Sequence, residues 1–290
     1  MDEYREPLRL SVNRRRVDEW QLALISAGID SRIDWTTGGY VLLVRAGDRA
    51  AADDVVAAFD AENPPRPPRL SDRRELPASR AAIIVAVLLC AFFVVTGSRD
   101  AGPYWFEHGE ADAARIAAGE RWRVVTALTL HADFGHILSN AATLMIFGSA
   151  LCGLVGAGIG IWVMLLAGGL GNWLTALLRG PPHSAVGAST AIFGGLGALA
   201  AIQLLRRRHG AVSTWRAVAP MAAGLGLLAF LGTAPQSDVL AHLFGFAIGA
   251  GLGPFAVGLG GLGESQRVQA ALVAAAAAVV LGCWMVATSR

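Results

Sequence analysis

The sequence predicts an all-α polytopic membrane bundle preceded by a small soluble α+β domain, and three observations carry that expectation. Of the 290 residues 54% are apolar, yet Arg, Asp and Glu crowd into the first eighty positions and thin out afterwards, a split that separates a soluble unit from a membrane unit. From Ile137 to Leu178 no residue is charged, which is about twice the roughly 20 apolar residues that one helix needs to cross the hydrocarbon core. Gly153–Gly160 is glycine-rich and supplies a turn in the middle, so two spans fit there.

Residues 8–60 read as the soluble unit. LRLSV is a strand, DEWQLALISAGI an amphipathic helix ending at Gly28, SRIDW and YVLLVRA two strands around Gly38 and Gly39, and AAADDVVAAFDAE a second helix. The β-α-β-β-α order carries no catalytic constellation. Pro64, Pro65, Pro67 and Pro68, with Arg and Asp after them, form a stiff polar linker. The expected domains are therefore 1–62, soluble; 63–80, linker; and 81–290, membrane. MDEYREPLRLSVNRRR lacks the apolar stretch and small-residue cleavage site of a secretory signal. The first domain is thus expected in the cytoplasm.

Seven spans are expected: Ala81–Gly97, then residues near 135–154, 159–178, 186–205, 214–233, 238–259 and 268–288. Arg73, Arg74 and Arg80 precede the first, and Arg206, Arg207 and Arg208 follow the fourth. The excess of Arg on the cytoplasmic side puts both of those ends inside. The loop from Ser98 to about Phe134 then lies outside, where Trp105, Phe106 and Trp122 suit the headgroup region. A net charge of +2 and basic clusters that read as topology signals give no nucleic-acid surface. Cys90, Cys152 and Cys283 each sit inside an apolar span as small hydrophobes, with neither disulfide nor metal spacing.

Polar side chains inside a membrane are costly, so their positions carry information. Ser189 lies near the start of span four, His242 near the start of span six, and His136 and Asn140 at the start of span two. All three spans run from outside to inside. At about 1.5 Å rise per residue these side chains lie within roughly one helical turn below the outer rim. In that layer Ser189 and His242 are a candidate nucleophile and base, because a serine hydroxyl is weak until an imidazole takes its proton. His136 and Asn140, one turn apart, face the same way and can donate to an oxyanion beside the backbone N–H of Ser189. Ala241, Gly245, Gly249 and Gly253 recur every fourth position, a seam of small residues, and Gly187, Ala191, Gly194 and Gly195 give span four similar relief. Phe193, one turn after Ser189, is placed to pack on an imidazole face.

Each of these residues also has an ordinary reading. A serine in a membrane helix usually packs or bonds back to its own backbone. Asn140 alone would bridge helices, and HADFGH at 131–136 would be a loop with two exposed histidines or a weak metal pair. No HExxH and no third acidic ligand accompany that pair, which argues against a zinc protease and for no metal. A small transporter would place its polar groups at the midplane and show an internal repeat, neither of which is visible.

Taken jointly, the motifs resemble the rhomboid family of intramembrane serine proteases over roughly Ala81–Gly260. WRVVTALTLHADFGHILSN, 122–140, is similar to the family's Trp-Arg loop segment running into its His-x4-His-x3-Asn motif; GASTAIFG, 187–194, to its Gly-x-Ser motif; and AHLFGFAIGAGLG, 241–253, to its Ala-His-x2-Gly-x3-Gly helix. The resemblance implies a six-helix core with a seventh helix at 268–288, Ser189 as nucleophile, His242 as general base with no acidic third member, and His136 and Asn140 holding the oxyanion. It implies that Gly187 and Gly245 allow close approach, that Trp122 and Arg123 build the loop, and that His131 is structural. Thr190 stands where the family most often has glycine, and its β-branch is expected to crowd the oxyanion site or narrow the substrates accepted.

The implied activity is endoproteolysis, without a cofactor, in or near the transmembrane segments of substrate proteins. A helical backbone hides its scissile carbonyl, so such substrates should carry small or helix-breaking residues at the cut. The expected location is the cell membrane, as a multi-pass protein in contact with lipid; the oligomeric state is left open. The alternative is an inactive rhomboid-like scaffold that binds membrane clients. Such relatives typically lack the serine or the histidine, and both are present here.

Overall fold

The computed structural model describes residues 4–64, 80–208, 213–232, 238–259 and 265–289. The chain divides into two compact units, residues 1–69 and 70–290. Of the linker expected over 63–80, and of its arginines 73 and 74, only Asn63, Pro64 and Arg80 fall among the described residues.

The first unit is a three-stranded antiparallel sheet with two helices: β1 (Arg5–Ser11), α1 (Arg14–Ser26), β2 (Ser31–Thr36), β3 (Gly39–Arg45) and α2 (Arg49–Glu62), with β3 central. Leu42 and Val44 alternate along β3 and bury against Val17, Trp20 and Leu24 of α1 and Ala52 and Val56 of α2, the period-two pattern of a half-buried strand. The sequence places the start of α1 at Asp18; the helix starts four residues earlier. Asn13 caps it by accepting the Arg15 N–H at 3.1 Å, and Arg14–Asp18 and Arg15–Glu19 pairs support the added turn. Gly28, with φ +76°, reverses the chain after α1 while the Ile29 N–H reaches back to the Leu24 carbonyl at 2.9 Å.

In the second unit a helix stands at each of the seven expected places: α3 (Ala81–Thr96), α7 (Phe134–Val155), α8 (Ala157–Arg179), α9 (Ser189–Arg208), α10 (Thr214–Gly232), α11 (Val239–Gly258) and α12 (Gln266–Thr288). Of these, α7, α8, α9, α11 and α12 are long and apolar enough to cross a membrane, whereas α3 is a shorter apolar helix of 16 residues. The loop between α3 and α7 holds three short α-helices, α4 (Pro103–Gly109), α5 (Ala113–Ala117) and α6 (Arg123–Thr126), a 3-10 turn over Ala127–Thr129, and a strand β4 (Ala111–Asp112) that pairs with β5 (Ser184–Ala185). The turn expected in Gly153–Gly160 narrows to the single residue Gly156, whose φ is +95°. A π-helical turn over Leu144–Gly148 interrupts α7.

Small residues decide how the bundle packs. A Cβ on Gly249 would overlap the Gly194 carbonyl, one on Gly245 the Thr190 carbonyl, and one on Gly197 the Phe246 carbonyl. Glycines on both helices thus bring α9 and α11 into backbone contact. On the other side of α9, a Cβ on Gly168 of α8 would lie 2.8 Å from the Ala191 Cβ. Lipid offers no hydrophobic drive for helices to associate, so contact of this kind supplies the cohesion. Gly249→Val should therefore destabilise the protein by at least about 1–3 kcal/mol, seen as a lower Tm in detergent. Gly251→Ala, on the same helix but with nothing within 4 Å of its Cβ position, should show no loss.

Candidate active site

Ser189 is the first residue of α9 and His242 lies in the first turn of α11. The glycine seam brings them together: Ser189 Oγ is 2.8 Å from His242 Nε2, with the two residues 9% and 4% exposed. Phe193, one turn further along α9, stacks on the imidazole with ring centroids 4.5 Å apart and an interplanar angle of 19°. That face contact fixes the ring plane. His242 Nδ1 is buried without a hydrogen-bond partner among the described residues. The carboxylate one turn before it, Asp238, is engaged elsewhere, accepting the Ala241 N–H at 3.1 Å and bonding His183 Nε2 at 2.9 Å. With the proton on Nδ1, Nε2 is left as the acceptor for the serine hydroxyl.

A cavity of about 690 Å³ opens on this pair and is bordered also by His136, Asn140, Asn172 and Gly187. Gly187 has φ +117°, and a Cβ there would come within 2.6 Å of His136 Cε1 and Nε2. Glycine is needed on both counts. His136 Nδ1 lies 3.5 Å from the Ala132 nitrogen, at the outer limit of a hydrogen bond; with Nδ1 as the acceptor the ring proton sits on Nε2, beside Gly187. Asn140 Nδ2 is buried with no partner among the described residues. Two N–H donors and the first turn of α9 therefore border one cavity, an arrangement suited to negative charge.

The segment leading into Ser189 is held from outside α9. The Gly187 N–H donates to the Ala127 carbonyl at 2.9 Å, and the Ala188 N–H to His131 Nε2 at 3.4 Å. His131 is fully buried and meets the His136 ring edge-on at 5.2 Å. Burial first and the neighbouring His136 second push the His131 imidazole down to about 3, against weaker opposing effects of the Thr129 backbone and Asp133. A neutral ring keeps a lone pair for Ala188. Arg123, 1% exposed, ties the loop between α3 and α7 together, bonding the Glu120 carboxylate at 2.6 Å and the carbonyls of Glu110 at 3.1 Å and Glu107 at 2.8 Å. Trp122 is half-buried, and its carbonyl accepts the N–H groups of Val125 and Thr126. Neither Trp122 nor Arg123 borders the cavity.

Sequence reasoning missed Asn172, His183 and Asp238, all of which border the cavity. Asn172 had a signal, as a lone amide in an uncharged run; its Nδ2 donates to the Val124 carbonyl at 3.1 Å. His183 and Asp238 had none, since their bond closes across 55 residues. Thr190 also borders the cavity, but its γ-methyl is directed into the helix junction. It is the nearest atom to a Cβ position on Gly171, at 2.7 Å, and lies 3.2 Å from that on Gly245. The β-branch is thus accommodated by glycines on α8 and α11.

Residues 118–258 match the Rhomboid domain family. The candidate rhomboid protease YdcA of Bacillus subtilis (strain 168) is 31% identical over 134 residues, 46% of this chain and 66% of that protein. The rhomboid protease GluP of the same organism is 30% identical over 128 residues, 43% of this chain and 25% of that one. RHOMBOID-like protein 1 of Arabidopsis thaliana is 34% identical over 141 residues, 46% of this chain and 34% of that one. The chain thus spans from a quarter to about two thirds of the length of these relatives. With the motif-bearing helices, their order and these similarities in hand, the chain is a multi-pass membrane protein of the rhomboid family.

Proposed function

We propose that the protein is an intramembrane serine endopeptidase that cuts peptide bonds in or near transmembrane segments of other membrane proteins. The single observation that supports this reading is the 2.8 Å approach of Ser189 Oγ to His242 Nε2. It occurs at the edge of a cavity that also holds donors for an oxyanion. Two relatives carry the name rhomboid protease.

In this reading His242 Nε2 takes the hydroxyl proton as Ser189 Oγ attacks the scissile carbonyl. Negative charge gathers on the carbonyl oxygen, where Nε2–H of His136, Nδ2–H of Asn140 and the Ser189 backbone N–H receive it. His242 then returns the proton to the leaving nitrogen, and the C–N bond breaks to leave an acyl ester on Ser189. Water, deprotonated by the same imidazole, attacks the ester and releases the acid. Among the described residues no carboxylate completes a triad; Phe193 and the packing of α11 on α9 orient the ring instead. The protein is further proposed to lie in the cell membrane with residues 1–62 in the cytoplasm, because Arg80 and Arg206–Arg208 fall on the side favoured by basic residues.

Purified protein in detergent, given a labelled single-span substrate with small residues at the cut, should release two fragments. Ser189→Ala and His242→Ala should each lower the rate by about a thousandfold or more. Equal cleavage by all three proteins would remove the assignment. Client binding with no cleavage by the wild type would favour a scaffold. His136→Ala and Asn140→Ala should each lower kcat by about ten- to a thousandfold with little change in KM, since an oxyanion exists only after attack.

A further inference from the structure

Helix α12 lies beyond the matched domain, which ends at residue 258, yet it is bonded into the bundle at both ends. At its start, Gln269 Oε1 accepts the N–H groups of Gly158 at 2.7 Å and Ile159 at 3.3 Å, satisfying donors at the N-terminus of α8 that have no partner within that helix. Trp162 Nε1 donates to the Leu272 carbonyl at 2.9 Å. At its far end, Trp284 Nε1 donates to Thr129 Oγ1 at 3.0 Å, across 155 residues. The indole meets the rings of Phe92 and Trp105 edge-on, each at 5.4 Å, and fills the space above Gly109, where a Cβ would lie 3.0 Å from its Cζ3.

The bond from Trp284 lands on the stretch that holds the serine's approach. Thr129 Oγ1 itself donates to the Thr126 carbonyl at 2.7 Å, and Thr126 Oγ1 to the Gly109 carbonyl at 2.7 Å. Two residues before Thr129, the Ala127 carbonyl receives the Gly187 N–H; two residues after it, His131 Nε2 receives the Ala188 N–H. Residues 127–131 are thus clamped between the indole on one side and Gly187–Ala188 on the other. A slack loop would let that strand drift from His136, and misplacement of reacting groups by as little as about 1 Å can cost a hundredfold.

We propose that α12 is a positioning element for Ser189: Trp284, through Thr129, holds residues 127–131 so that Gly187, packed against His136, and Ala188 fix the start of α9 at the serine. Trp284 touches no reacting atom, and the inference rests on the protease reading above. The test uses the full chain in detergent, with the rate of Ser189 labelling by a fluorophosphonate probe, kcat and KM on the single-span substrate, and Tm. Trp284→Phe keeps the ring and removes the N–H; Thr129→Val keeps the shape and removes the acceptor. Each should slow labelling and kcat by about three- to tenfold, with KM within about twofold. The double variant should be no slower than Thr129→Val alone, because that substitution already removes the acceptor of the indole N–H along with the bond to the Thr126 carbonyl. Met285→Ala, beside Trp284 but 68% exposed, should match the wild type. Trp284→Ala, if it folds, should lose more than Trp284→Phe. Wild-type labelling rates in both Trp284→Phe and Thr129→Val would overturn the proposal while leaving the protease reading intact. Losses that multiply in the double variant would do the same. Failure of the wild type to label at Ser189 or to cleave would remove both.

Discussion

The contact between α9 and α11 runs backbone to backbone: Gly245, Gly249 and Gly253 of one helix lie against the carbonyls of Thr190, Gly194 and Ala198 of the other. The depth at which Ser189 meets His242 follows from that contact. The two side chains are short, and a hydroxyl can reach an imidazole only when the helix axes approach more closely than leucine-lined surfaces allow. Helix packing distances are set by the side chains between the helices, and here there are almost none. Thr190 shows how tight the junction is, since its one methyl group needs glycine opposite it on both α8 and α11.

Burying so many polar groups in an apolar bundle is costly unless each finds a partner. Most do. Arg123, fully enclosed in the loop between α3 and α7, has one carboxylate and two carbonyls; Asn172 has the Val124 carbonyl; Thr175 bonds back to Gly171 at 2.8 Å. The exceptions include the amide nitrogen of Asn140, beside the cavity. That nitrogen borders the space beside Ser189 and His242, where an acceptor entering the cavity would satisfy it. A donor already fixed in place does not have to reorganise when charge develops.

The loop between α3 and α7 and the helix α12 form a second layer around the site. Arg123 gathers the loop's short helices, the aromatic rings of Phe92, Trp105 and Trp284 pack it against α3 and α12, and its inner edge at 127–131 meets the strand entering α9. The neutral state of His131 belongs to the same logic. Desolvation keeps the ring uncharged, so its Nε2 remains an acceptor for Ala188 rather than becoming a second donor.

Much of this was legible in one dimension. Five of the spans follow from runs of apolar residues long enough to cross a bilayer, and the three-stranded sheet from alternation around Leu42 and Val44, because burial imposes a period on the chain whatever the partner is. Ser189, His242, His136 and Asn140 stand out since polar groups are rare in such runs, and the repeat from Ala241 to Gly253 announces a close helix contact. What the sequence did not decide is anything closed by residues far apart. It began span four at 186, whereas β4–β5 pairing and the bonds to Ala127 and His131 keep 184–188 out of the helix, which begins at Ser189 itself. The His183–Asp238 and Thr129–Trp284 bonds join residues with no periodic relation to each other. Composition and period report what each segment must bury; which particular atoms meet depends on directional bonds between segments, and those exist only once the helices have packed.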